Sequence, residues 1–127
     1  MLLEIIELDF NSDEAIYQQL SRQIIKGIAA SRLQSGDSLP SVRQLADSIG
    51  INMHTVNKAY ALLRSEGYVQ MDRRKGAVIA VDMDKTAALE RIREELQISI
   101  ARAVCKKVTR EDVHKLIDGI FDEFQTK

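Results

Sequence analysis

Apolar and polar residues follow one another along this chain with periods that change from segment to segment. Between residues 16 and 28 the apolar positions recur every four residues, which is the repeat of one helix face. We expect an amphipathic helix of about 18 residues here, starting at Ser12 because a capping hydroxyl precedes two acids. Residues 2–10 alternate only loosely, and this pattern predicts a short extended segment.

Two shorter helices are predicted next, separated by a glycine. Ser41 is placed to cap the first, and Gly50 to end it because glycine adopts a positive φ at low cost. Asn52 is a favourable N-cap for the second helix. The side of the second helix that faces away from the core carries small polar side chains and one basic side chain. Such a surface fits a major groove about 12 Å wide. The predicted core face consists of Val56, Ala59, Tyr60 and Leu63.

A basic turn between two apolar runs follows these helices. Residues 68–72 and 77–81 predict two paired strands after Gly67, and residues 73–75 between them read Arg-Arg-Lys. Three adjacent bases have no role in a protein core, and they suit contact with a DNA backbone or groove. A solvated turn that only improves solubility is the alternative. Two short helices and a basic hairpin together are typical of a helix-turn-helix with a wing.

The helical period returns after residue 84 and predicts a helical hairpin of about 22 and 16 residues. Thr109 and Asp112 form a capping box at the start of the last helix. Both helices carry broad apolar stripes, which they cannot bury by packing only on each other. The stripes could complete the core of their own chain or pair with a second copy, and we favour the second. The predicted dimerisation residues are Leu89, Ile92, Leu96, Ile100, Val113, Ile117, Ile120, Phe121 and Phe124.

The formal net charge of −1 conceals an uneven distribution of charge along the chain. Residues 1–16 carry five acids and no base, residues 17–80 nine bases and four acids, and residues 81–127 nine bases and ten acids. The basic excess coincides with the two short helices and the basic turn. Phosphates respond to such a local patch, because charges are screened beyond about 8–10 Å at physiological salt. Double-stranded DNA is therefore the expected partner.

The motifs in this central region resemble the DNA-binding domain of the GntR family of bacterial transcription regulators. The resemblance covers about residues 14–80, and the two-helix tail is similar in length and pattern to the YtrA subfamily. Ala15, Met53 and His54 depart from residues common in the family, so base preference at positions 53 and 54 is not carried over. The matching residues are Gly36-Asp37-Ser38-Leu39-Pro40-Ser41-x-Arg43-x-Leu45-Ala46, Thr55-Val56-x-Lys58-Ala59-Tyr60, Leu63 and Glu66-Gly67.

The expected fold is mainly α with a small β-hairpin, a winged helix-turn-helix domain at residues 1–81 followed by an α-helical hairpin at residues 82–127. The resemblance implies a homodimer that binds an approximately two-fold symmetric operator, most simply as a repressor, although activation stays open. Any small-molecule effector would have to bind at the dimer interface or between tail and wing. The resemblance and the basic turn together predict DNA contacts from Arg43, Asn52, His54, Thr55, Asn57, Lys58, Arg73, Arg74, Lys75 and Gly76.

Other classes of function find little support in the sequence. His54, His114 and Cys105 do not fall at metal-ligand spacings, and we expect no cofactor and no catalysis because phosphate-binding glycine loops and activated nucleophiles are lacking. Two alternatives stay open: an architectural DNA-binding protein without promoter control, and a winged-helix adaptor that binds proteins.

The expected location is the cytoplasm. No apolar run approaches the roughly 20 residues that span a bilayer, and the first residues lack the basic region of a signal peptide. The single cysteine, Cys105, cannot form an internal disulfide, which fits a reducing compartment. We expect Cys105 to be a small packed residue rather than a redox sensor.

Overall fold

A computed structural model describes residues 2–125, which form six helices and one two-stranded antiparallel sheet. The chain divides into two compact units between Asp82 and Met83. The mainly α class and the winged helix-turn-helix followed by a helical hairpin are as predicted. In chain order the elements are α1 (Leu2–Ile5), α2 (Ile16–Ala29), α3 (Val42–Ile49), α4 (Met53–Ser65), β1 (Val69–Asp72), β2 (Gly76–Ile79), α5 (Lys85–Cys105) and α6 (Arg110–Gln125).

The core of the first unit lies between α2, α3, α4 and the sheet. Helix α4 packs against both α2 and α3, and β1 continues from α4 across a turn. The predicted inward face of α4 is confirmed, because all four of its residues are buried. The largest side chains that are fully removed from solvent are Leu20, Ile24, Leu45, Leu63, Ile79, Val56 and Val69.

The predicted caps of α3 and α4 are confirmed and fix where these helices begin and end. The Ser41 hydroxyl accepts from the Gln44 N–H at 3.1 Å, while the Gln44 side chain accepts from the Ser41 N–H at 3.0 Å. Gly50 has a φ of 74°, so glycine meets the left-handed geometry that ends α3. The Asn52 carboxamide oxygen accepts from the His54 N–H at 2.7 Å and so caps α4.

The hairpin pairs Val69 with Ile79 and Asp72 with Gly76. The segment that precedes α3 lies beside β2, since the Leu39 N–H donates to the Ala77 carbonyl at 2.8 Å and the Ile79 N–H donates to the Asp37 carbonyl at 2.9 Å. The wing is therefore hydrogen-bonded at its base to the chain that leads into α3.

The prediction of an extended segment at residues 2–10 was wrong, because residues 2–5 form the short helix α1. Leu2 and Ile5 are three residues apart, so a helical turn directs both to the same side. Leu2 is buried in the core, and Ile5 lies so close to Gly27 that a Cβ there would come within 2.5 Å of the Ile5 Cδ1. Burial of this apolar pair against α2 favours the helix over the strand.

The predicted start of the next helix was also wrong, because α2 begins at Ile16 rather than after Ser12. The Ser12 hydroxyl accepts from the Glu14 N–H at 3.0 Å, which closes a local turn instead of capping the helix. The Gln19 carboxamide binds the Asp9 N–H at 2.8 Å and donates to the Asp9 and Glu14 carbonyls at 2.9 Å. These bonds satisfy the backbone of the connection in a non-helical form.

The second unit consists of α5 and α6, whose lengths agree with the predicted hairpin. The predicted capping box is present, since the Thr109 hydroxyl accepts from the Asp112 N–H at 3.0 Å and the Asp112 carboxylate accepts from the Thr109 N–H at 3.1 Å. These bonds lower the pKa of Asp112. None of the described residues in α5 and α6 is buried, and close contacts between the two helices are few. Cys105 is exposed, contrary to the expectation that it is packed.

Tyr60 joins α4 to the segment before α3, because its phenol donates to the Pro40 carbonyl at 2.8 Å. Tyr60→Phe is expected to lower the free energy of unfolding by about 1–1.5 kcal/mol, since it removes the donor to that carbonyl. Burial raises the pKa of Tyr60. Its contribution to stability is therefore complete below the unfolded pKa of about 10 and declines at higher pH, where only the unfolded chain releases the proton.

Urea unfolding of both proteins at neutral and alkaline pH checks this prediction. When the pH is raised above the pKa of an unfolded tyrosine, the free energy of unfolding of the wild type should fall more than that of Tyr60→Phe. Equal losses would show that ionisation of Tyr60 does not oppose folding.

Candidate nucleic-acid interface

The outward face of α4 carries four of the ten predicted DNA-contacting residues. His54, Asn57 and Lys58 are exposed, and Thr55 is half-buried. They face solvent because the buried residues of the same helix occupy the opposite side, at 100° of rotation per residue. Asn52 has a second task, since its oxygen caps the helix and its amide nitrogen is the group left to donate elsewhere.

Lys58 is paired with an aromatic ring that the sequence did not connect to it. Its Nζ lies 4.3 Å from the centroid of the Tyr17 ring on α2. Such a cation–π contact is worth about 0.5–1 kcal/mol at an exposed site, and it restricts where the ammonium group lies. A contact between residues so far apart in the chain has no local signal.

Arg43 is exposed in the first turn of α3, two residues after the cap at Ser41. The bond from Tyr60 to Pro40 connects this helix start to α4, so the two predicted contact regions share a rigid support. Met53, the first residue of α4, was not among the predicted contacts. Its side chain is 43% exposed despite being apolar.

The wing tip presents its bases to solvent on a turn of defined geometry. Arg73, Arg74 and Lys75 are all exposed. The Asp72 carboxylate accepts from the Arg74 N–H at 2.8 Å and from the Lys75 N–H at 3.0 Å. These two backbone hydrogen bonds lower the pKa of Asp72. Gly76 completes the turn with a φ of 78°, a conformation that glycine adopts without strain.

Asp72 is expected to support DNA binding although it carries the charge that phosphates repel. Asp72→Ala removes the acceptor for two backbone N–H groups and should weaken DNA binding several-fold by loosening the turn. Asp72→Asn keeps an oxygen acceptor while removing the charge, and it should bind DNA at least as tightly as the wild type. Fluorescence anisotropy with labelled DNA measures both. If both variants bind more tightly, the effect of Asp72 is only electrostatic.

The chemistry of this surface is that of phosphate and base recognition. Basic side chains on α3, α4 and the wing all face solvent within one compact unit, and amide and hydroxyl side chains lie among them. Across residues 2–125, no group of three or more His, Cys, Asp or Glu side chains is placed to hold a metal ion. In the same part of the chain, no helix is long and apolar enough to cross a bilayer.

Comparison with known proteins decides which family has this arrangement. The family model described as bacterial regulatory proteins, gntR family, matches residues 13–79, which is more than half of the chain. The chain belongs to the GntR family. This GntR protein is accordingly a DNA-binding transcription regulator and not an enzyme.

The similarity to individual relatives extends beyond the matched domain. The GntR protein is 34% identical to the HTH-type transcriptional repressor YtrA of Bacillus subtilis, over 91% of each chain. Its structure is similar to that of a transcriptional antiterminator from Listeria monocytogenes, with a TM-score of 0.84, 30% identity and coverage of 96% of this chain and 93% of the other. YtrA from Sulfolobus acidocaldarius, a GntR-family transcription factor, has a TM-score of 0.66 and 39% identity over 80% of this chain and 98% of its own. The alignment with the B. subtilis protein is long enough to include most of the two-helix tail.

Proposed function

We propose that this GntR protein is a repressor that binds a two-fold symmetric operator as a homodimer in the cytoplasm. One observation carries the proposal. The same chain has exposed basic side chains on α3, α4 and the wing, and a two-helix tail whose apolar stripes are not buried. The similarity to a relative named as a repressor supports the direction of regulation.

The proposed DNA contacts divide into two groups by chemistry. Phosphates are bound by Arg43, Lys58 and the basic side chains of the wing. Gly76 lets the backbone approach DNA closely. His54, Thr55, Asn57 and the Asn52 amide lie at or near the start of α4, where a recognition helix contacts base edges. One helix of this size offers few such contacts, so specific affinity requires two copies on adjacent half-sites.

The proposed dimer interface is the apolar seam of the tail. Leu89 is 62% exposed and Phe121 59% exposed in the single chain. An open apolar groove runs along α5 between Leu89 and Ile100. Burying these side chains against a second copy removes apolar surface from water at about 25 cal/mol per Å². We therefore assign residues 1–81 to DNA binding and residues 82–127 to dimerisation, through Leu89, Ile92, Leu96, Ile100, Val113, Ile117, Ile120, Phe121 and Phe124.

Binding to the DNA upstream of its own gene, compared with scrambled DNA of equal length over a series of salt concentrations, tests the proposal. The expected result is preferential binding to the native fragment with two symmetric protected half-sites. A reporter gene behind that fragment should be less active when the protein is present. Equal and steeply salt-dependent binding to both DNAs would instead indicate an architectural protein, and absence of binding at low salt would favour a protein adaptor.

A further inference from the structure

Met53 is an apolar side chain in a position that the protein core does not use. It is 43% exposed at the first residue of α4, one helical turn before Val56, the first buried residue of this helix. From α3 to the end of the wing, the large apolar side chains exposed to this degree are Met53 and Met71. Met71 lies on β1, so Met53 is the exposed large apolar side chain of the helix that we place in the major groove.

The position of Met53 is well defined by its neighbours. Asn52 caps the helix by accepting from the His54 N–H at 2.7 Å, which fixes the backbone on both sides of residue 53. The N-terminal residues of a recognition helix are those that contact base edges. Met53 would therefore reach the bases rather than the phosphates, and it has no group that could bind a phosphate.

Among the base features exposed in the major groove, an apolar side chain is suited to the 5-methyl group of thymine. The unbranched, polarisable chain of methionine adapts easily to such a partner. We propose that Met53 is a specificity-determining residue that contacts the 5-methyl group of a thymine in each half-site of the operator. The proposal rests on the proposed function, in which α4 enters the major groove.

Replacing each operator thymine in turn by deoxyuridine tests the proposal, because this exchange removes only the methyl group. At one symmetric pair of operator positions, substitution in a single half-site should weaken wild-type binding about fourfold. Substitution in both half-sites should weaken it about tenfold to twentyfold. Met53→Ala should bind the thymine operator more weakly and should not distinguish thymine from deoxyuridine at these positions. Alanine is a strong helix former, so the variant should fold.

Met71→Ala is the matched control, because it removes an exposed methionine on β1 rather than on α4. This variant should keep the full preference for thymine over deoxyuridine. If the wild type binds its operator specifically but tolerates deoxyuridine everywhere, the role of Met53 is overturned and the regulator function stands. If Met53→Ala keeps the thymine preference, another residue contacts the methyl group and the proposal is also overturned. Failure of the wild type to prefer the operator over scrambled DNA would overturn the proposed function together with this inference.

Discussion

Replacing both Arg74 and Lys75 by glutamate (Arg74→Glu with Lys75→Glu) is expected to lower operator affinity by about 100-fold or more at physiological salt. Both side chains are exposed at the wing tip, on a turn whose backbone is bound by Asp72. The change removes two phosphate contacts per protomer and introduces repulsion. Each lost contact should also lower the slope of log affinity against log salt by about one, so a dimer should lose about four. Anisotropy titrations over a salt series measure both quantities.

The matched control is Lys106→Glu with Lys115→Glu, which makes the same change in net charge within the tail. It should bind the operator almost as well as the wild type, because local rather than net charge determines attraction to phosphates. If the two double variants weaken binding equally and with the same salt dependence, the wing has no special part in DNA binding.

A carboxylate within the tail seam is expected to abolish dimerisation. Leu96 is 39% exposed and lines the groove of α5. Since only the exposed part of Leu96 is left to bury on association, Leu96→Asp removes about 0.8 kcal/mol of apolar burial per protomer, or about 1.6 kcal/mol from a symmetric dimer, which weakens self-association roughly fifteenfold. Burying the new charge would cost more still. Sedimentation equilibrium should show a monomer, and operator affinity should fall to that of a single half-site.

Ile98→Asp is the control for this variant. Ile98 is also apolar, is 57% exposed and lies on the same helix, but two positions along α5 correspond to a rotation of about 200°. This variant should remain a dimer with normal operator affinity. A monomeric Ile98→Asp would place the interface on the other side of α5, and a dimeric Leu96→Asp would contradict the proposed seam directly.

Elements with short-range signals were predictable from the sequence. The caps of α3, α4 and α6 each involve residues two or three positions apart, so the pattern contains both partners. The same is true of the core face of α4, whose members recur at helical spacing. The Asp72 turn also has a local signal, but counting its carboxylate only as negative charge concealed its structural role.

Elements determined by distant contacts were not predictable. The segment between α1 and α2 stays non-helical because Gln19 binds the backbone of Asp9 and Glu14. Helix α1 forms because Leu2 and Ile5 pack on α2. The pairing of Lys58 with Tyr17 joins two helices that are separated by the whole of α3. A single sequence contains the residues of such contacts but does not indicate which of them meet.

Helix α4 assigns stability and recognition to different sides of one helix, and this has an evolutionary consequence. The buried side, with Val56 and Leu63, tolerates little change, whereas His54 and Asn57 on the solvent side contribute no core packing. Substitutions on the solvent side can therefore accumulate without loss of the folded state. After a gene duplication, such a protein could acquire a new set of target promoters through a few codon changes while its scaffold stays under purifying selection.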